Sequence, residues 1–165
     1  MAKEIERKFL VLDERWRDDV TGATDLRQAY ILSMENRSLR VRILDRQKAT
    51  LTVKIGSGTL SRDEFEYDIP LDEAREMLDC AIGIVLEKSR FLVPHEGYTW
   101  EIDVYDGAYR GLVIAEVELQ EEDENPPLPD WLGPEVTGDR RYSNQSLATE
   151  DLRGEMGLPL PPLSD

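Results

Sequence analysis

Charged residues recur in this chain two positions apart, on one segment after another that otherwise reads as β-strand. In a strand, alternate residues point to the same side of the sheet. Glu4, Glu6 and Lys8 therefore share one face, with Ile5, Arg7 and Phe9 on the other. Arg40 and Arg42 alternate with Leu39, Val41 and Ile43, and Thr52 and Lys54 with Leu51, Val53 and Ile55. Glu64, Glu66 and Asp68 alternate with Phe65, Tyr67 and Ile69. Lys88 and Arg90 lie two apart in the apolar segment 84–93. Glu101 and Asp103 alternate with Trp100, Ile102 and Val104, and Glu116 and Glu118 with Ala115, Val117 and Leu119. Taken in order, the pairs are acidic, basic, basic, acidic, basic, acidic and acidic.

Two architectures accommodate that pattern. An antiparallel sheet with its charged face in water explains the alternation, but a solvated face usually mixes signs and carries more uncharged polar residues. The other architecture closes the sheet with its charged face inward and its apolar face outward, under helices. About eight strands make the smallest barrel with a usable interior. Dry burial of so many ions would cost several kcal/mol each, so such an interior has to be wet and ionic. Basic pairs suit anionic oxygens, because arginine presents a planar fork of donors. Acidic pairs suit Mg²⁺ or Mn²⁺, hard cations that take oxygen ligands. Together they describe a metal–polyphosphate site. Alternation alone leaves both architectures open.

The 165 residues suit one domain. A net charge of −15 argues against a chain that holds nucleic acid or an anionic membrane through its overall field. Cys80 is the single cysteine, which rules out an intramolecular disulfide; its apolar, helix-like setting predicts a buried structural thiol. The first residues are charged and no transmembrane run follows, so the cytoplasm is the expected compartment.

Local signals complete the map. Residues 13–17 read as a short helix or turn, 21–24 as loop, and 27–33 as a strand with Gln28, Tyr30 and Leu32 on one face. Turns are expected at 35–37, 45–48 and 94–97, and a break at 56–58. Pro70 ends a strand, and a helix follows from Leu71, Ala74, Leu78, Ala81 and Ile82, stopped near Gly83. Residues 106–111 read as loop, and the acidic 120–124 stretch with Pro126, Pro127 and Pro129 as irregular chain up to Trp131. Residues 143–156 predict a C-terminal helix and 157–165 an extended tail. His95 is expected in a solvent-exposed turn, and Trp16, Trp100 and Trp131 in the core.

The opening Glu4-Ile5-Glu6-Arg7-Lys8-Phe9-Leu10 resembles the E-x-E-x-K signature of the CYTH domain, or triphosphate tunnel metalloenzyme, family. The later pairs agree with it in order, and Gly138-Asp139-Arg140-Arg141-Tyr142-Ser143-Asn144 is similar to its late G-D-x-x-Y-x-N element. The resemblance covers nearly the whole chain. It implies an α+β, mostly β fold: a closed eight-stranded antiparallel β-barrel with helices packed on the outside, one domain over 1–165. Within the family, the E-R-K-F-L form and the single-domain length resemble the bacterial inorganic triphosphatases.

The activity so implied is metal-dependent hydrolysis of tripolyphosphate to pyrophosphate and phosphate. Arg40, Arg42, Lys54, Lys88 and Arg90 would bind phosphate. Glu4, Glu6, Glu116 and Glu118 would lead the metal ligands, helped by Glu64, Glu66, Glu101 and Asp103, for two Mg²⁺ or Mn²⁺ ions. Lys8 and Tyr30 resemble a pair proposed to assist catalysis, although Tyr30 reads equally as a wall residue. Asp139 could cap or bridge as readily as face the tunnel, and Tyr142 reads as packing. The partner is a small-molecule triphosphate, not nucleic acid or membrane; oligomeric state is open. Sister activities on the same barrel are class IV adenylate cyclase, thiamine triphosphatase and nucleoside triphosphatase. A non-catalytic polyphosphate- or nucleotide-binding module is the alternative from another class.

Overall fold

Among the described residues, nine antiparallel strands make one sheet that curls until its first and fifth strands meet. The structure is a computed structural model that describes residues 2–56 and 61–158. The strands are β1 (Ala2–Val11), β2 (Gly22–Met34), β3 (Arg37–Leu44), β4 (Lys48–Ile55), β5 (Ser61–Ile69), β6 (Ile82–His95), β7 (Tyr98–Asp106), β8 (Val113–Glu118) and β9 (Leu132–Glu135). They run in the order β5-β4-β3-β2-β6-β7-β8-β1-β9, and a β5–β1 pairing closes the first eight into a barrel. β1 is the closing strand. β5 pairs with its residues 2–5, β8 with its residues 6–10, and β9 with Phe9 and Val11.

The alternation sorts cleanly. Leu39, Val41 and Ile43 of β3 stand beside Val53, Leu51 and Ala49 of β4, which stand beside Phe65, Tyr67 and Ile69 of β5. These face outward. Helix α1 (Leu71–Asp79) lays Ala74 and Leu78, four residues apart, on Ala29, Val41, Ile43 and Ala49. Asp72 and Glu73 in its first turn complement the helix dipole. On the opposite wall Ile5, Phe9, Trp100, Ile102, Ala115 and Val117 form a second outer core with Trp16 and Trp131, as expected of the tryptophans. Arg7, on this outer face, is bidentate to Glu135 of β9 at 2.9 and 2.8 Å.

A third core lies on the inner faces themselves. Tyr30, Leu86, Tyr105 and Ile114 continue the inner rows of β2, β6, β7 and β8, and pack on Leu147 and Ala148 of helix α2 (Asn144–Thr149). One end of the barrel is thus filled with apolar side chains.

Several boundaries differ from the sequence expectation. Residues 22–24 are strand, because Gly22, Ala23 and Thr24 pair with Leu92, Phe91 and Arg90. The proline-bearing stretch is followed by a short β9. The C-terminal helix spans only Asn144–Thr149. Ser143 caps its start, accepting from the Ser146 N–H at 3.1 Å, and Glu150 turns extended. The buried Tyr109 hydroxyl accepts from the Leu152 N–H and sits against the Leu147 and Glu150 carbonyls, which stops the helix there. Cys80 is exposed, not buried: α1 ends at Asp79 and Cys80 is already outside it. His95 is the last residue of β6, 3.1 Å from Glu96. Gly83 has φ +70°, and a Cβ there would stand 2.0 Å from the Ala148 carbonyl oxygen. Positions 57–58 and most of the tail, 159–165, lie outside the described residues. No helix among the described residues is long and apolar enough to cross a membrane.

Candidate active site

Register brings the charged rows together. Glu6 stands across from Glu118, and Lys8 from Glu116, on β8; Glu116 stands across from Glu101 on β7. Asp103 faces Arg90 on β6, and Lys54 faces Glu64. Arg40 faces Thr52, and Glu4 faces Arg62.

The acidic side is built on β1 and β8. Glu6 is pushed up to about 8 by burial and by the charges of Glu116 and Glu4. Burial also works to raise Glu4, but a hydrogen bond with Glu64 and the Lys54 ammonium hold it down at about 2. Lys54 lies 3.0 Å from Glu4 and 3.8 Å from Glu64. Glu64 is raised to about 7 through its hydrogen bond with Glu4 and by burial. Carboxylates here outnumber the cations facing them.

The basic side is built on β3 and β6. Asp103 is fully buried and saturated: Lys88 donates to Oδ2 at 2.7 Å, and Arg90 straddles both oxygens at 2.8 and 2.9 Å. Burial would raise its carboxyl, yet Lys88 and Arg90 hold it well below the usual carboxylate range. Arg90 also reaches Glu101 at 3.1 Å. Arg42 is pushed down by burial and by the neighbouring Arg40 and Arg90 charges. Its Nε donates to Gln28 Oε1 at 2.9 Å. Arg40 touches Thr52 at 3.4 Å. This wall is a cluster of donors with few acceptors.

Lys8 joins the two sides. Burial would lower its ammonium, but Glu116, 3.8 Å away, and Glu6 raise it above its ordinary value, so it stays charged. It donates to the Tyr142 carbonyl at 3.1 Å. Tyr30 is buried among the inner apolar residues and stands across from Arg40 on β3.

The late segment is stitched to this interior. Asn144 Oδ1 accepts from Lys88 at 3.3 Å and from the Tyr105 hydroxyl at 2.6 Å. Thr137 Oγ1 accepts from the Lys8 N–H at 2.9 Å. Asp139 caps the turn at Arg140–Tyr142 and pairs with Arg141, and it also borders a cavity shared with Glu6 and Lys8. Between this segment and the barrel lies a cavity of about 450 Å³, reaching Glu6, Lys8, Ser33, Arg62, Asp139 and Gln145.

The structure thus gathers Glu4, Glu6, Lys8, Arg40, Arg42, Lys54, Glu64, Lys88, Arg90, Glu101, Asp103 and Glu116 around one interior. Glu66 and Glu118 sit at exposed positions on the same inner rows. Arg62 and Gln28 also belong to the interior, although neither is part of a like-charged pair. Arg62 was readable as the residue two before Glu64.

Among the described residues no three acidic, histidine or cysteine side chains already converge as a formed metal centre. The donor chemistry nevertheless fits a hard divalent cation. Glu6, Glu4 and Glu116 are all-oxygen donors, and their mutual repulsion is what a dication relieves.

The CYTH domain family matches residues 2–153. The chain belongs to the CYTH domain family. It is 45% identical over 148 residues to the inorganic triphosphatase of Acetivibrio thermocellus, covering 89% of this chain and 94% of that protein. It is 38% identical over 152 residues to the inorganic triphosphatase of Nitrosomonas europaea, covering 88% and 96%. The crystal structure of the inorganic triphosphatase NE1496 superposes with a TM-score of 0.66 at 32% identity, covering 91% of this chain and 97% of that one. The CYTH fold of this chain and its barrel architecture are therefore shared with these enzymes.

Proposed function

We propose that this CYTH protein is a divalent-metal-dependent inorganic triphosphatase that hydrolyses tripolyphosphate to pyrophosphate and phosphate. One observation carries the reading: a cluster of mutually repelling carboxylates, Glu4, Glu6 and Glu116, faces a cluster of bases, Arg40, Arg42, Lys88 and Arg90, across one interior. The likeness to two inorganic triphosphatases supports it.

Glu4, Glu6 and Glu116 would hold the cation, with Glu64, Glu66, Glu101 and Glu118 as the further carboxylates for a second ion. Mg²⁺ or Mn²⁺ would supply charge neutralisation of the phosphates and activation of water. Arg40, Arg42 and Arg90 bind the phosphate oxygens, and Arg90 is held in orientation by Asp103. Asp103 serves this positioning better than metal ligation, since both its oxygens are already engaged. Lys8, kept charged by Glu116 and Glu6, stabilises or protonates the leaving phosphate oxygen. Tyr30, across from Arg40 at the edge of the apolar end, would tune Lys8. The substrate is a small anion, and the cytoplasm is the compartment that fits one exposed, unpaired cysteine.

The test is phosphate release from tripolyphosphate by the purified chain with Mg²⁺, with Mn²⁺ and with chelator, run beside ATP and thiamine triphosphate with cyclic AMP monitored. Fast release from tripolyphosphate that stops with chelator is expected. Cyclic AMP, or preference for an organic triphosphate, would move the activity to a sister enzyme. Binding without turnover of any substrate would make the chain a binding module.

A further inference from the structure

Gln28 lies on the inner face of β2, in register with Arg42 on one side and Leu86 on the other, and is fully buried. Its carboxamide orientation follows from chemistry. Arg42 Nε, 2.9 Å away, can only donate, so the atom it meets is the carbonyl oxygen. That leaves the Gln28 amino group turned away from Arg42. It is buried and has no acceptor among the described residues. Arg40 Nε, one inner position further along β3, is buried and without an acceptor as well. A buried polar group left unpaired is costly, and unpaired donors that cluster need a common reason.

The surroundings supply one. Gln28 is bonded to Arg42, and the groups acting on Arg42 are Arg40, Arg90, Asp103 and Tyr30. Asp103 is already saturated by Lys88 and Arg90. The wall therefore holds donors in excess, and the acceptor that matches them is an anionic oxygen brought by the substrate.

We propose that Gln28 is a substrate-contacting residue: its amino group donates to a phosphate oxygen, while its carbonyl oxygen locks the Arg42 guanidinium beside the same phosphate. The inference rests on the triphosphatase reading and adds to it an uncharged donor. A neutral donor differs from its arginine neighbours in use. It adds a directional contact without adding to the like-charge repulsion that Arg40, Arg42 and Arg90 exert on one another.

The alternative is that Gln28 only braces Arg42. A double-mutant cycle separates the two. Tripolyphosphate binding is measured by titration calorimetry on the metal-free full chain for wild type, Gln28→Met, Arg42→Met and the double variant. The remaining bases keep binding measurable in Arg42→Met. Loss of a hydrogen bond to a charged oxygen predicts about tenfold weaker binding for Gln28→Met. The same substitution is expected to cost several-fold when Arg42 is already methionine. If Gln28→Met has no effect in the Arg42→Met background, Gln28 acts only through Arg42 and the proposal is overturned. Gln28→Glu is the second variant, should Gln28→Met unfold. It keeps an acceptor for Arg42 but has no amino group, so it binds more weakly than wild type; wild-type affinity in it would also overturn the proposal. Absence of tripolyphosphate binding by the metal-free wild type overturns this inference, whereas the triphosphatase reading stands or falls on chelator-sensitive phosphate release.

Discussion

The inner wall of the barrel changes character along single strands. On β8, Glu116 belongs to the ionic interior, while Ile114, two residues earlier, belongs to the apolar end. On β7 the change falls between Asp103 and Tyr105, on β6 between Lys88 and Leu86, and on β2 between Gln28 and Tyr30. One alternation period, roughly 7 Å of strand, separates a wall built for ions from one built like a core. Lys88 marks the boundary. Its ammonium lies 5.3 Å from the Tyr105 ring centroid and bonds Asp103 on its other side. Burial pushes Lys88 down to about 7 against the pull of Asp103, and Arg90 and Arg42 push the same way. Packing and chemistry are thus separate duties given to different ends of the same strands. The apolar end packs under α2 like a core; the ionic end, which includes the closing β1–β5 seam, carries unbalanced charge that the fold alone does not satisfy.

If that division is right, substitutions should affect activity and stability separately. The largest effect expected is on turnover: Glu6→Gln replaces a carboxylate proposed to hold the cation with a neutral amide and should lower metal-supported phosphate release by at least about a hundredfold. The metal-free variant should melt no lower than wild type below about pH 8, where Glu6 is already neutral, and higher above it, where the amide escapes repulsion from Glu116 and Glu4. Mg²⁺ should then raise the melting temperature of wild type and not of Glu6→Gln. A large fall in metal-free stability would erase the distinction between the ends. Leu147→Ala, at the apolar end, should do the opposite, destabilising the chain by about 2–5 kcal/mol in denaturant unfolding; a change of a few tenths would show that α2 is not part of the core. Asn144→Ala tests the boundary. Removing the oxygen that serves Lys88 and Tyr105 should cost about 1–3 kcal/mol and lower turnover moderately, and an effect on stability alone would sharpen the line between the ends at Lys88. The smallest effect belongs to Arg7→Ala, on the outer face. Loss of its exposed pair with Glu135 should cost about 0.2–1 kcal/mol and leave turnover unchanged; a loss of turnover would mean that the outer face reaches the chemistry.

The ionic end was the more legible of the two. Like-charged pairs two residues apart announce themselves, and they are distinctive because burying them dry is prohibitive. The apolar end gave no such signal. Tyr30, Leu86, Tyr105 and Ile114 look like any half-buried strand residues until register puts them on the inner row. Gln28 and Arg62 escaped for a related reason: each is a single polar residue, and a search for pairs passes over both. Boundaries that depend on distant partners were also hidden. Residues 22–24 read as loop by composition and became strand because β6 is long enough to pair with them. The end of α2 is set by a tyrosine thirty-eight residues before Leu147 in sequence. Cys80 was misread because helical periodicity ran on for two or three residues beyond the last helical turn.

Gly83 gives this architecture a particular kind of fragility. Its backbone conformation and the Ala148 carbonyl 2.0 Å from where a Cβ would stand leave no room for any other amino acid. A substitution there would not create a hole or remove a charge. It would act as a wedge under α2, lifting the stopper from the apolar end of a barrel whose strands are otherwise intact. Among inherited variants, position 83 should therefore be one of the least forgiving in the chain, although it binds nothing and carries no side chain at all.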